Sequence, residues 1–262
     1  MPETRTLWLH VRAPFAAYRG MQAGAFRGSA PFMPPSAAHG LVCNLAGIET
    51  RGDLSAVATP LRADAPPLQI AIGSLTAPEV STLYQQLHSY PVGASGREAR
   101  PRARGAKYWI APVRREVLVG LSVLLGVRSR ETGILDRAEK GLRGEGDWER
   151  YGLPFAGDNQ LLFDRIDVLP APVPAWWVVP LTLEGPLRRD SVRLTIGIDR
   201  EDASRTTARL YAPVEQPAAD PPEEAWTWVP ASPPSRGPGG RSIYGGGGDA
   251  GRRWAPVRSR GP

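Results

Sequence analysis

The chain has 262 residues, is 42% hydrophobic, and carries a formal net charge of +6 with an isoelectric point near 9.9. That suffices for one substantial core, while one cysteine (Cys43) and three histidines (His10, His39, His88) exclude an internal disulfide and argue against a structural zinc site. No run approaches the ~20 apolar residues of a membrane span, the start MPETRTLWLHV lacks a signal peptide's apolar stretch, and phosphate-loop, nucleophile-elbow and HExxH signatures are absent, so no cofactor, no metal and no membrane contact are expected, and the cytoplasm is the expected compartment.

Residues 6–11 alternate, with Leu7, Leu9 and Val11 on one side and Trp8, His10 and Arg12 on the other, as in a half-buried strand. Residues 13–35 read as a loop, punctuated by Pro14, Pro31, Pro34 and Pro35. A helix follows. Ser36 is its natural N-cap, because a serine hydroxyl accepts a first-turn N–H. Ala38, Leu41, Val42 and Leu45 form an apolar stripe at helical spacing, and Gly47 is the expected stop.

Residues 68–75 read as a second strand, and 76–92 are ambiguous, with helical spacing through 83–87. Residues 93–106, GASGREARPRARGA, cannot contribute to a core and read as an exposed basic loop. Apolar arms at 108–110 and 116–127 flank it, the pattern of a protruding hairpin. Residues 131–143 read as a short charged helix. Residues 151–169 form a glycine-punctuated loop running into apolar residues, with Asp158 and Asn159 suited to an Asx-type turn. The runs 176–183, 191–198 and 206–211 make the second half mostly β, with Trp176 and Trp177 in the core or a subunit contact. Proline dominates from about residue 213. In 230–262, 15 of 33 residues are Gly or Pro, a composition that does not offset its ordering entropy, so this tail is expected to be disordered.

Charge is unevenly spread. Residues 97–115 carry net +6 and 230–262 carry net +5, so the rest of the chain is net acidic. Clustered positive charge gains by displacing counterions from phosphates, which points to a polyanion partner; a solvated surface run would look the same. The element order fits an α+β fold, a helix packed on a largely antiparallel sheet, compatible with an RRM-like scaffold. The aromatic RNA-stacking run of a true RRM is absent.

The N-terminal strand, the following segment with Phe15 and Arg19, and then PPSAAHGLVCNLAGIE (34–49) resemble the CRISPR-associated Cas-five family of the RAMP superfamily, the Cascade subunit that caps the five-prime end of the guide RNA. GLPFAGDNQLLFDRI (152–166) resembles its Myxococcus-type, DevS-like subgroup of type I systems. The resemblance spans roughly residues 6–211. It implies one RRM-like (ferredoxin-like) domain, over 1–215, with a thumb hairpin at about 84–109, and it leaves the Pro/Gly/Arg-rich tail at 216–262, read from composition, uncovered. It implies a non-catalytic subunit that binds the five-prime handle of the crRNA, contacts the Cascade backbone and large subunits, and meets target DNA only indirectly.

On that reading the helix start at Ser36 offers a phosphate site, Arg19 and Arg27 before it bind handle phosphates or bases, and His39 stacks on or bonds to a nucleotide. Arg97, Arg100, Arg102, Arg104 and Lys107 contact phosphates near the thumb, and Tyr108 stacks on a base, with Trp109 stacking or packing on the stem. Two alternatives remain open. One is a RAMP endoribonuclease that processes precursor crRNA, with His10, His39, Tyr18 and Lys107 as candidate groups but no spacing that ties them together. The other is a basic scaffold binding nucleic acid non-specifically through its tail.

Overall fold

The computed structural model describes residues 5–23, 26–52, 61–62, 64–89, 109–150, 152–182, 188, 190–197 and 206–230. The expected basic loop at 93–106 and the tail from residue 231 lie outside them.

The alternation that opens the chain produces β1 (Thr6–Ala16), which continues well past residue 11. Leu7, Leu9, Val11 and Ala13 are buried on one face. The stretch expected to be a loop instead forms two further strands, β2 (Tyr18–Ala23) and β3 (Phe26–Ala30), paired antiparallel. Gly20 and Gly28 fall at the register irregularity of this pair and Pro31 just past the end of β3, where a missing side chain or N–H costs little.

Helix α1 (Pro35–Leu45) has its N-cap two residues earlier than expected, at Pro34, with Pro35 in the first turn. No side chain caps it, so Ser36 is not the N-cap. Proline suits that place because its missing N–H would have no partner there anyway and its φ is already helical. The N–H groups of Ala37 and Ala38 both donate to the Pro34 carbonyl, at 2.9 and 3.1 Å. Gly47, at φ +64°, ends the helix as expected.

The chain continues through β4 (Leu68–Ser74), β5 (Glu79–Ser89), β6 (Trp109–Arg128), α2 (Thr132–Arg143), β7 (Arg165–Leu169), β8 (Trp176–Pro180), β9 (Val192–Gly197), β10 (Thr207–Pro213) and β11 (Thr227–Val229). Residues 83–87 are thus strand, not helix. Leu83 and Leu87 stand at helical spacing, but pairing with β6 along the whole of β5 decides the outcome.

Four strands and the two helices give a ferredoxin-like βαββαβ unit. α1 lies between β1 and β4 in the chain and α2 between β6 and β7; the strands lie side by side as β7–β1–β6–β4, every neighbour antiparallel. The expected α+β class with a mostly antiparallel sheet is what the chain adopts. Around this unit the sheet extends through β8, β10 and β9 beyond β4, and through β3 and β2 beside the upper part of β6. The β3–β6 pair is parallel.

The main core lies between the sheet and the helices, where Leu9, Val11, Leu125 and Val127 meet Val42, Leu45 and Leu135. A smaller core covers the reverse face. There Trp226 sits 6.0 Å from Trp8 between ring centres, Trp177 sits 6.1 Å from Trp8, and the Arg128 guanidinium lies 3.7 Å above the Trp226 ring centre. Trp177 donates its indole N–H to the Ala218 carbonyl at 2.8 Å; Trp176 is exposed.

This second core corrects the expected tail boundary at 216. A 3-10 turn at Glu223–Ala225 brings buried Trp226 onto the sheet, and β11 pairs with β4. The chain therefore remains in the fold to residue 230.

Candidate nucleic-acid interface

β6 is the longest strand, with 20 residues. Its C-terminal half is the centre of the ferredoxin-like sheet. Its N-terminal half pairs with β5 from Ser89↔Trp109 to Glu79↔Val119, forming a hairpin arm that continues the sheet. A hairpin is present, but not between the expected arms: 109–110 and 116–127 both fall on β6, and the partner strand is β5, in the stretch read as ambiguous with helical spacing.

A cleft of about 360 Å³ opens where the base of this arm meets β2, β3 and the loop around Gly157; Tyr18, Arg19, Arg27, Gln85, Arg115 and Glu116 line it. Arg27 stands directly opposite Arg115 in the parallel register of β3 with β6. Like charges directly opposite on one sheet face destabilise each other, and an anion between or above them relieves the repulsion.

Two carboxylates partly balance the arginines. Asp158 Oδ2 pairs with Arg115 at 2.6 Å, and Glu116 Oε2 accepts the Ser29 N–H at 3.0 Å. Asp158 also accepts the Gln160 N–H through Oδ1 at 3.0 Å, the expected Asx-type turn. Its carboxylate is thus held by two bonds, one from the arm and one from its own loop.

Gly157 closes one side of the cleft. It adopts φ +85°, and a Cβ there would lie 2.3 Å from the Ala17 carbonyl oxygen and 2.8 Å from the Tyr18 ring. Only glycine allows this approach, which brings the 152–162 loop against β2, with the Ala17 N–H donating to the Ala156 carbonyl at 2.9 Å. The Tyr18 ring is 2% exposed and its hydroxyl has no hydrogen-bond partner among the described residues. Burial pushes its pKa far up, so the hydroxyl keeps its proton.

Of the residues singled out in the sequence, Arg19 and Arg27 come together in this cleft. Ser36 does not join them, and with Ala37 and Ala38 already donating to Pro34 the helix start has fewer free donors for a phosphate than expected. His39 turns inward, a correction to its expected nucleotide contact. It is 6% exposed, and its Nε2–H donates to the Pro66 carbonyl at 2.8 Å. Burial lowers its pKa, the hydrogen bond opposing only in part, so the ring is neutral. Arg97, Arg100, Arg102, Arg104, Lys107 and Tyr108 lie outside the described residues, as does the side chain of Trp109.

Among the described residues, the candidate catalytic groups do not converge. Tyr18 is in the cleft, His39 is on α1, and His10 is on the reverse face of β1, its Nε2 2.9 Å from Ser122 Oγ. Lys107 is outside the described residues.

The sequence marks Tyr18 only as a candidate catalytic group, and it does not single out Arg115, Gln85 or Glu116. The alternation in PVRREVLV places Arg115 on the face of Val113 and Val117, but the meeting of β3 with β6 depends on pairing between residues 88 apart, as in Arg27↔Arg115.

The family model described as CRISPR-associated protein (Cas_Cas5) matches residues 6–143, which hold every cleft residue except Gly157. No curated protein matches the chain. Among solved structures, the chain is similar to a component of a "CRISPR RNA-guided surveillance complex" at 14% identity and a TM-score of 0.49, over 84% of this chain and 96% of that one. It is also similar to a structure described as "Crystal structure of Cas protein" at 15% identity and a TM-score of 0.43, over 88% and 100% of the two chains.

Proposed function

The chain belongs to the CRISPR-associated protein (Cas_Cas5) family, and on that premise we propose that it is a non-catalytic guide-RNA-binding subunit of a type I surveillance complex of the Myxococcus-type, DevS-like subgroup. Its role is to hold the five-prime handle of the crRNA, acting in the cytoplasm beside the backbone and large subunits, with target DNA reached only through them. The observation that carries this reading is the cleft at the base of the arm, where Arg19, Arg27 and Arg115 converge. Guanidiniums present a planar fork that matches phosphate oxygens and stacks on bases. The net +6 of residues 97–115 spans the joining segment and the start of β6, and adds charge for the same strand. In domain terms, residues 1–231 form the RNA-binding domain and the basic tail follows it.

Purified full-length protein is mixed with labelled precursor guide RNA in metal-free buffer at two salt concentrations, scoring retention and cleavage. Intact RNA held through its handle, in preference to a scrambled handle, is the expected result. A discrete cut at the base of the repeat hairpin would make the protein the processing nuclease instead. Retention without handle preference that disappears with the tail would leave only the basic scaffold.

A further inference from the structure

Successive residues of a strand point to opposite faces of the sheet, and residues paired across neighbouring strands share a face. At the base of the arm this places two different surfaces back to back. Arg27 and Arg115 belong to the cleft side. The residues one step before them, Phe26 and Arg114, are also partners, and Arg114 in turn pairs with Tyr84 of β5. Phe26, Arg114 and Tyr84 therefore form a row across three strands on the other side.

All three are exposed, Phe26 at 38% and Tyr84 at 79%, and Gln86 and Pro112 continue the exposed face beside them. The Arg114 guanidinium lies 5.9 Å from the centre of the Tyr84 ring. Two aromatic rings left in water with an arginine between them gain little from their own fold. Strands lie about 4.8 Å apart, so the row is about 10 Å wide, enough for two nucleobases. Planar aromatic and guanidinium groups stack on any base, and the Arg114 guanidinium within the row favours a polyanion over an apolar protein surface.

We propose that Phe26, Arg114 and Tyr84 form a second nucleic-acid site, a stacking platform for bases of single-stranded guide RNA next to the nucleotides held in the cleft. The proposal rests on the guide-RNA reading. The arm then holds one strand in two ways, phosphates by Arg27 and Arg115 on one side and bases by the aromatic row on the other. Stacking contributes affinity with little choice of base and little dependence on salt, the opposite of phosphate contacts.

The test uses full-length protein and guide RNAs carrying 2-aminopurine at successive positions. Wild-type protein should change the fluorescence of one or two adjacent positions. The double variant Phe26→Ala with Tyr84→Ala should abolish that change and weaken binding on the order of 10- to 100-fold, with the salt slope kept. Tyr84→Trp should retain both signals. Circular dichroism and a melting curve check that the double variant is folded. If folded double variant binds as tightly as wild type with the same fluorescence, the platform is overturned while the cleft reading stands. If it binds guide RNA normally but no longer joins the neighbouring subunits, the row is a protein interface and the proposal fails. If wild-type protein does not bind guide RNA at all, the reading beneath the proposal fails first.

Discussion

Arg115 of β6 donates to Asp158 of the 152–162 loop at 2.6 Å while standing opposite Arg27 of β3. One carboxylate thus fixes the arginine that joins two separate strands into a cationic cleft. Replacing Arg27 or Arg19 with alanine should weaken guide binding by about 1–3 kcal/mol and lower the salt slope by roughly 0.7 for each phosphate no longer neutralised. Asp158→Asn keeps the turn-forming oxygen but removes a negative charge, and should tighten binding at low salt. Filter binding across a salt series reads all three; unchanged affinity and slope for Arg19→Ala and Arg27→Ala would remove the cleft from the RNA path.

Gly157→Ala should be severely destabilising. The added methyl meets backbone, the Ala17 carbonyl oxygen at 2.3 Å, and the φ of +85° is strained for alanine. A cost of about 2–4 kcal/mol is expected. Urea denaturation measures it; a midpoint within error of wild type would mean that the loop lies elsewhere in solution.

Truncation separates tail from fold. A chain ending at residue 231 should melt like the full chain. A chain ending at residue 215 loses Trp226 and β11, uncovering Trp8 and Trp177 and leaving the β11 side of β4 unpaired. Removing a buried tryptophan alone costs about 3–5 kcal/mol, so this shorter chain should be strongly destabilised or insoluble. Equal melting temperatures for the two truncations would contradict the second core.

His39 gives a pH signature. Burial lowers its folded pKa below the 6.5 of an unfolded histidine. The unfolded chain then binds more protons in the window between the two values, so stability is full above about pH 6.5 and falls as pH drops through the window towards the folded pKa. His39→Gln removes this loss while its amide can still donate to Pro66. Comparing urea midpoints at about pH 7.5 and about pH 5, the variant should lose less stability than wild type. An equal loss in both proteins would show that other groups carry the acid sensitivity.

The elements that are legible in the sequence carry strong local signals. The alternation at the start of β1, the apolar stripe of α1 and the charged helix α2 need no distant partner to be recognised. The strands that local reading misses are held by pairing. β3 offers only FRGSA to local inspection, yet lies beside β6 through Phe26 and Arg27. β11 is hidden by surrounding prolines, although TWV already alternates, with Thr227 and Val229 buried and Trp228 exposed. At the site, Arg19 and Arg27 are legible because they precede a recognisable helix. Arg115 is not, because its importance comes from what stands opposite it.

Because Arg114 and Arg115 are neighbours in the chain yet serve opposite surfaces, the stretch of β6 between them and Leu121 behaves like a reading frame. Substitutions there alter one surface at a time. Inserting or deleting a single residue would exchange the two arginines between faces unless a bulge absorbed it, so both surfaces would be destroyed together. A two-residue change restores the faces but moves each side chain about 7 Å along the strand. Relatives that keep both surfaces should therefore vary in residue identity along this stretch but not in its length, and should place their length differences between residues 90 and 108, beyond the last described pair of the arm, Ser89 with Trp109.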